Sequence, residues 1–271
     1  MNHETTKDTK KFIRLDSQNL DALPAFITDA TRIDHFSAYD NRLTTLPDWL
    51  WTMTNLRTLN VSVNQLTAFS EQVGSLKNLR MLDIGHNQIT HVPEAIGHLP
   101  MLTNFLYMSD NGIEQLPDSL TNLTQLRYLN VTDNQLVVLP DDLGRMTGLV
   151  ELRAYRNPLR ALPESIGQLV NLRELHLDQT ALTMLPESIG ELSDLHMLSL
   201  RLCKCTDLPT SIGKLNQLRH LDLRGNPLTR LPNEIVTLPN LEKLDLRWTH
   251  QLTRLPAWIK TLEARGCLVY V

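Results

Sequence analysis

Cysteine side chains are the most reactive groups in this sequence, but their spacing does not assemble a reactive site. Cys203 and Cys205 form a Cys-x-Cys pair, and Cys267 is the third and last cysteine. A structural zinc site needs about four ligands, and a disulfide framework needs clustered, paired cysteines. The pattern instead predicts small, buried, reduced thiols. We therefore predict no metal and no cofactor.

Catalytic motifs are also missing from the sequence. It contains no phosphate-binding GxxxxGK[ST] loop, no HExxH zinc motif and no GxSxG nucleophile turn. The nine histidines do not fall with cysteine and aspartate in a catalytic arrangement. The sequence therefore predicts a protein that is not an enzyme.

Aromatic and arginine side chains offer a different chemistry, the recognition of another protein. Tyr, Trp and Arg dominate the energetic hot spots of interfaces. Here they recur at intervals close to 23 residues, so a repeating fold would bring them to one surface. The predicted partner-binding residues are Phe105, Tyr107, Tyr128, Arg153, Tyr155, Arg156, His176, Arg201, Arg224, Arg247 and Trp248. The alternative is that these exposed rings only cover one another.

Prolines mark the repeat that would position these residues. LPESIG occurs at 162–167 and again at 185–190, 23 residues later. Leu-Pro or Val-Pro pairs continue this spacing along the chain, with Ser70 in place of one proline and two steps of 24. The sequence predicts eleven repeats over 12–262, a polar tail or short cap over 1–11, and a capping strand over 263–271.

Each repeat reads LxxLxLxxNxLxxLPxxIGxLxx, and each part predicts an element. LxL alternates apolar and polar residues, as a short strand does. Asparagine follows where the strand ends, and stacked asparagines would form a hydrogen-bond ladder. Proline presets the first position of a helical turn, and glycine is suited to ending it.

This pattern resembles the leucine-rich repeat family over roughly nine tenths of the chain, and the LPxxIGxL variant is similar to Ras-group intracellular and bacterial effector repeats. The resemblance implies an α/β right-handed horseshoe solenoid. A parallel sheet would line its concave face, with short helical or 3-10 turns on the convex side. It also implies protein binding, either as a signalling scaffold or, in bacteria, inside a host cell.

Two features leave alternatives open. Arg201, Arg224 and Arg247 share one column, and they either pair with Asp178, Asp222 and Asp245 in an internal ladder or face an anionic patch on a partner.

The fifth and eleventh repeats each carry one extra residue, in TNFLYMSDN (103–111) and LDLRWTHQL (244–252). An insertion inside a strand makes a bulge, so we expect bulges beside Phe105 and Trp248, with or without a binding role.

Composition narrows the class of partner and the location. The chain is 42% hydrophobic with a net charge of −4, and it has no apolar run of about 18 residues. We predict no nucleic-acid partner, since such binders concentrate basic charge, and no membrane partner. The start of the sequence lacks a secretory signal. A cytoplasmic monomer is therefore predicted, or an effector secreted without a classical signal peptide.

The predicted function is a noncatalytic interaction module that binds a protein or peptide on its concave face, centred on repeats five to seven. Two alternatives remain. The first is a secreted bacterial effector that binds a host protein. The second is a carbohydrate or small-anion binder that uses the aromatic rings and the arginine column.

Overall fold

The computed structural model describes residues 11–25 and 32–271. In this part of the chain, twelve short strands form one parallel sheet in chain order, each paired with its neighbours in sequence. The predicted solenoid with a parallel sheet is confirmed. The strands are β1 (Lys11–Arg14), β2 (Ile33–Ser37), β3 (Thr58–Asn60), β4 (Met81–Asp83), β5 (Phe105–Tyr107), β6 (Tyr128–Asn130), β7 (Glu151–Arg153), β8 (Glu174–His176), β9 (Met197–Ser199), β10 (His220–Asp222), β11 (Lys243–Asp245) and β12 (Leu268–Tyr270).

Leucine fills the interior because one repeat cannot bury its apolar side chains alone. The central leucine of each strand from β3 to β11, such as Leu106, Leu129 and Leu152, is buried between its counterparts in the neighbouring coils. The residues on either side of it point to the concave face, as strand alternation requires, and most of them are partly exposed. The sheet therefore presents two outward residues per strand, in register along the concave face.

Short helical turns return the chain along the convex side. They are 3-10 helices at Asp48–Thr52, Glu71–Ser75, Glu94–His98, Asp118–Asn122, Leu143–Arg145, Glu164–Gln168, Glu187–Glu191, Thr210–Lys214 and Asn233–Thr237. One α-helix, α1 (Ile259–Ala264), precedes β12. Among the described residues, no helix has the length and apolar character required to cross a membrane.

The proline of the repeat lies one position earlier in the turn than predicted. Pro163 has φ −67° and ψ 147°, so it is extended and caps the 3-10 helix instead of forming its first residue. Its carbonyl accepts the first hydrogen bond of the turn, from the Ile166 N–H at 3.0 Å. The proline ring still shapes this turn, because it fixes φ at the residue that precedes the 3-10 helix.

The repeated glycine does not end the turn, contrary to the prediction. Gly167 and Gly190 lie inside their 3-10 helices, and neither has a positive φ. A Cβ at Gly167 would lie 2.5 Å from the Ser188 carbonyl oxygen, and one at Gly190 would lie 2.4 Å from the Ser211 carbonyl oxygen. The glycine is needed because adjacent coils approach closely.

The predicted asparagine ladder is present. The Leu136 N–H donates to Asn157 Oδ1 at 3.0 Å, and Asn157 Nδ2 donates to the carbonyl oxygens of Val131 and Ala154 at 2.9 and 3.1 Å. Leu136 and Val131 belong to the preceding coil. Each asparagine therefore ties two coils together through buried backbone groups, which need such partners.

Neither extra residue forms a bulge, so that prediction is wrong. Strand β5 pairs with β4 and β6 without a register shift, and β11 does the same with β10 and β12. In repeat five the extra residue lies before the strand, at 103–104. In repeat eleven it lies after Thr249, which takes the asparagine position and donates to the Leu246 carbonyl at 2.6 Å. A loop absorbs an insertion at less cost than a ladder of strand hydrogen bonds.

Residues just before the asparagine position are turn residues rather than strand residues. They have left-handed backbone, with φ of 53° at Arg156 and 64° at Trp248, and Gly225 is the one glycine of this column. Left-handed backbone is uncommon outside glycine, asparagine and aspartate. Side chains at this position therefore point away from the sheet at a different angle from those on the strands.

Candidate functional site: an aromatic patch on the concave face

Three aromatic rings and one arginine meet on strands β5, β6 and β7. We call Phe105, Tyr107, Tyr128 and Arg153 the aromatic patch. Phe105 and Tyr107 stack at 5.9 Å between ring centroids, and Tyr128 lies 5.7 Å from Phe105 and 5.0 Å from Tyr107. The strand register brings Phe105 opposite Tyr128, so residues 23 apart become neighbours.

Arg153 closes one side of the patch. Its guanidinium carbon lies 5.7 Å from the centre of the Tyr128 ring, within the range of a cation–π interaction. Its Nε donates to Glu151 Oε1 at 2.5 Å. The arginine is thereby held in one orientation, which lowers the entropy cost of using it in recognition.

The patch is exposed although it is rich in apolar surface. Phe105 is 42% exposed, and the side chain of Arg153 is 39% exposed. Tyr107 and Tyr128 are half-buried by their neighbours. Desolvation raises the pKa of Tyr128 to about 12 and also raises the pKa of Tyr107. Both hydroxyls therefore remain neutral hydrogen-bond donors at physiological pH.

A groove of about 360 Å³ runs beside the patch, along the ends where the strands begin. It is lined by Asn104, Phe105, Arg127, Tyr128, Val150 and Glu151. The extra residue of repeat five lies at this groove, because Asn104 follows Thr103 in the inserted stretch. The insertion thus shapes the rim of the site rather than the strand.

Tyr155 and Arg156 extend the patch past the strand ends. The Arg156 guanidinium carbon lies 6.0 Å from the Tyr155 ring centre, and Arg156 Nη1 lies 3.4 Å from Asp133 Oδ1. Arg156 also donates from Nε to Gln179 Oε1 at 3.3 Å. The structure therefore brings Phe105, Tyr107, Tyr128 and Arg153 into contact, and two further predicted residues, Tyr155 and Arg156, contact each other beyond the strand ends.

His176 lies beside Arg153 in the strand register but faces acidic groups. Its Nε2 is 3.0 Å from Glu174 Oε2 and 4.0 Å from Glu151 Oε1. The side chains of His176 and Glu151 are only 19% and 20% exposed. This small acidic cluster borders the aromatic patch, and neither glutamate was among the predicted site residues.

Arg201, Arg224 and Arg247 do not all form the internal ion-pair ladder. Arg224 pairs with Asp222 and lies 3.5 Å from Asp245, and Arg247 pairs with Asp245 at 2.7 Å. Arg201 departs from this ladder, because Asp178 accepts its backbone N–H at 3.0 Å and its buried Nε finds no hydrogen-bond partner. Two of the three arginines are therefore neutralised within the sheet.

Trp248 lies far from the patch, in the coil of β11. It is 52% exposed. Two cations lie over the Tyr270 ring of β12. Lys243 Nζ is 5.3 Å from the ring centre, and the Arg247 guanidinium carbon is 5.2 Å from it. Tyr270 was not among the predicted site residues, although it lies in the capping strand predicted over 263–271.

A second aromatic group at the other end of the sheet was also missed. Phe12 stacks on His35 with ring centroids 4.3 Å apart and planes 9° apart, and Tyr39 lies in the same groove of about 400 Å³. Phe12 is 62% exposed. Arg14 lines the same groove, so this end of the sheet also combines aromatic rings with an arginine.

The three cysteines are free and buried. Cys203 takes the asparagine position and donates from Sγ to the Leu177 carbonyl at 3.1 Å. Burial raises the pKa of Cys203, and raises that of Cys205 to about 12. Such thiols are poor nucleophiles.

Comparison with protein families identifies the repeat directly. The family described as "Leucine-rich repeat region" matches residues 66–162 and 160–218, and "Leucine Rich repeats (2 copies)" matches 216–260. A search of curated proteins gave no match.

Solved structures with the same fold come from bacteria and plants. The leucine-rich repeat domain of the type III effector XopL is 29% identical with a TM-score of 0.73, and the match covers 82% of this chain and 78% of that domain. A leucine-rich repeat protein of Leptospira interrogans is 27% identical with a TM-score of 0.50, covering 93% and 82%. The ectodomain of the Arabidopsis thaliana receptor kinase GASSHO1/SCHENGEN3, in complex with CASPARIAN STRIP INTEGRITY FACTOR 2, is 33% identical with a TM-score of 0.69. That match covers 78% of this chain and only 26% of the ectodomain.

Proposed function

Since the chain belongs to the leucine-rich repeat family, we propose that it binds a protein or peptide partner on its concave face through the aromatic patch. The family is generally a noncatalytic interaction scaffold, and we propose the same role here. Arg153 and the two tyrosines supply the main contacts, and Tyr155 and Arg156 form the rim.

One observation carries this proposal. Phe105, Tyr107 and Tyr128 lie on the outward side of strands whose leucines already fill the core, so the fold itself does not require them there. A cluster of aromatic rings beside an oriented arginine has the composition of an interface hot spot. The Arabidopsis receptor, similar in fold, is captured with a bound factor, which supports the class of function.

Partner capture with matched variants tests the proposal. The test variant combines Tyr107→Ala, Tyr128→Ala and Arg153→Ala. The control combines Arg14→Ala and Tyr39→Ala, which removes the same residue types from the same face outside the patch. A partner recovered with the wild type and the control, but lost with the test variant while its circular dichroism stays native, supports the proposal. Equal recovery by both variants would reject the patch as the binding surface.

A secreted effector is a second candidate, because the XopL domain matches most of this chain in fold and sequence. In that case the partner is a host protein and the chain acts in the host cytoplasm; otherwise it acts in the cytoplasm of the cell that makes it. A translocation reporter fused to the chain distinguishes the two. Signal in recipient cells supports the effector, and strict retention in the producing cell contradicts it.

The small-anion alternative loses support from the arginine column. Arg224 and Arg247 are already engaged by Asp222 and Asp245, and an anion would have to compete with these carboxylates. Carbohydrate binding by the aromatic rings remains testable by thermal shift with glycans, but no observation favours it over a protein partner.

A further inference from the structure

We infer that Glu151, Glu174 and His176 form a binding site for a divalent transition-metal ion such as Zn²⁺ on the concave face beside the aromatic patch. The three residues lie on the adjacent strands β7 and β8. One ligand atom from each falls within 4.8 Å of the other two, and this is the one such group in the part of the chain that the structure describes. The sequence predicts no metal, because these three residues match no zinc-ligand motif and meet only through the pairing of two strands.

The distances between ligand atoms fit a small ion. Zn²⁺ binds imidazole nitrogen and carboxylate oxygen at about 2.0–2.2 Å, which places two ligand atoms of a tetrahedral site about 3.4 Å apart. His176 Nε2 lies 3.0 Å from Glu174 Oε2 and 4.0 Å from Glu151 Oε1. These two separations bracket the required value, and the two carboxylate oxygens lie within 4.8 Å of each other, so side-chain rotations can bring all three atoms into one coordination sphere.

Charge favours a cation at this position. Glu151 and Glu174 are directly opposite each other in the strand register, and like charges in that arrangement destabilise a sheet. Arg153 neutralises only Glu151, at 2.5 Å. Glu174 has its short contact with His176, which is charged only when protonated. A divalent cation would relieve the remaining repulsion between the two carboxylates and take the imidazole nitrogen as a third ligand.

The low exposure of two of the three side chains favours metal binding over a cluster that only water surrounds. The side chains of Glu151 and His176 are 20% and 19% exposed, whereas Glu174 is 46% exposed. Two ligands are therefore held in place by their neighbours, and the third closes from the solvent side. Three protein ligands leave one tetrahedral position open toward the concave surface, as in sites where water or an incoming ligand completes the sphere.

Titration calorimetry with Zn²⁺ alone tests this site. The wild type should bind with one saturable event that His176→Gln and Glu174→Gln each weaken strongly. Loss of an outer-shell partner weakens metal affinity about 10- to 100-fold. Loss of a ligand should weaken it at least as much. His86→Gln is the matched control, because His86 pairs with one carboxylate, Asp110 at 2.7 Å, and belongs to no three-ligand group among the residues that the structure describes. Zinc binding should persist in this control.

Arg153→Ala gives a second, opposite readout. Arg153 holds the same Glu151 oxygen that faces His176, so removing the guanidinium should free this ligand and tighten Zn²⁺ binding. The same change should weaken partner capture, so the two proposals fail independently. No zinc binding by the wild type, equal binding by His176→Gln, or unchanged or weaker binding by Arg153→Ala would each overturn the metal site. Circular dichroism of every variant confirms that the fold is retained.

Discussion

At the scale of single residues, the buried asparagine is the side chain that most directly joins one coil to the next. Asn157 satisfies the Leu136 N–H and the Val131 carbonyl of the preceding coil together with groups of its own coil. It is 2% exposed. Buried backbone groups that lose their partner carry a desolvation cost, so this position affects stability far more than its polarity suggests.

Replacing Asn157 by alanine should therefore destabilise the protein. We expect Asn157→Ala to lower the free energy of unfolding by about 1–3 kcal/mol, because it leaves the buried Leu136 N–H unsatisfied. Asn171→Ala is the control, since Asn171 makes one exposed hydrogen bond, to the Thr147 carbonyl. Urea unfolding measures both. Equal stability of Asn157→Ala and Asn171→Ala would contradict the importance of the ladder.

Burial of Tyr128 predicts how the stability of the protein depends on pH. Desolvation raises the pKa of Tyr128 from 10.0 to about 12 in the folded protein. The folded state thus holds this proton more tightly than the unfolded state, so the stability it contributes is complete below pH 10 and is lost as pH rises toward 12.

We expect the free energy of unfolding of the wild type to fall over this pH range, and to fall less in Tyr128→Phe, which has no hydroxyl to ionise. Denaturant unfolding at a series of pH values measures the difference. Parallel curves for the two proteins would show that Tyr128 ionises in the folded protein as readily as in the unfolded chain.

At the scale of elements, the 3-10 turns pack against one another through glycine. A Cβ at Gly167 would come within 2.5 Å of the Ser188 carbonyl oxygen and 3.2 Å of Glu191 Cβ. The obstacle is backbone, which cannot rotate away as a side chain can. The repeated glycine therefore sets how closely two coils approach on the convex side.

Gly167→Ala should lower the free energy of unfolding by about 1–3 kcal/mol through overpacking. Gly112→Ala is the comparison, because the nearest atom to a Cβ there would be Thr90 Cγ2 at 3.3 Å, which belongs to a side chain and not to the backbone. Thermal unfolding of both variants measures the contrast. If Gly112→Ala proved as destabilising as Gly167→Ala, close packing of the turns would not explain the glycine.

The sequence predicted some elements better than others, for physical reasons. Strand positions follow from alternation, and the asparagine ladder follows from the chemistry of one side chain, so both were predictable. The role of Gly167 was not, because it depends on a contact with Ser188 in the next coil. Left-handed backbone at Arg156 and Trp248 was missed since neither residue type favours it.

At the scale of the whole molecule, the solenoid converts a period in sequence into neighbours in space. The 23-residue spacing alone predicted that Tyr128 and Phe105 would adjoin, and their rings lie 5.7 Å apart. The cluster of Glu151, Glu174 and His176 is equally regular in register. It was not predictable from the spacing, which places the three residues side by side without giving the separations between their ligand atoms.

Site-specific photo-cross-linking tests the central claim most directly, that the aromatic patch is where the partner binds. A photoreactive p-benzoylphenylalanine replaces Tyr107 in one protein and Val138 in another. Val138 is 55% exposed and lies outside the strands. We predict an adduct with the captured partner from position 107, competed away by unlabelled wild type, and none from position 138. An adduct from position 138 without one from position 107 would contradict the account.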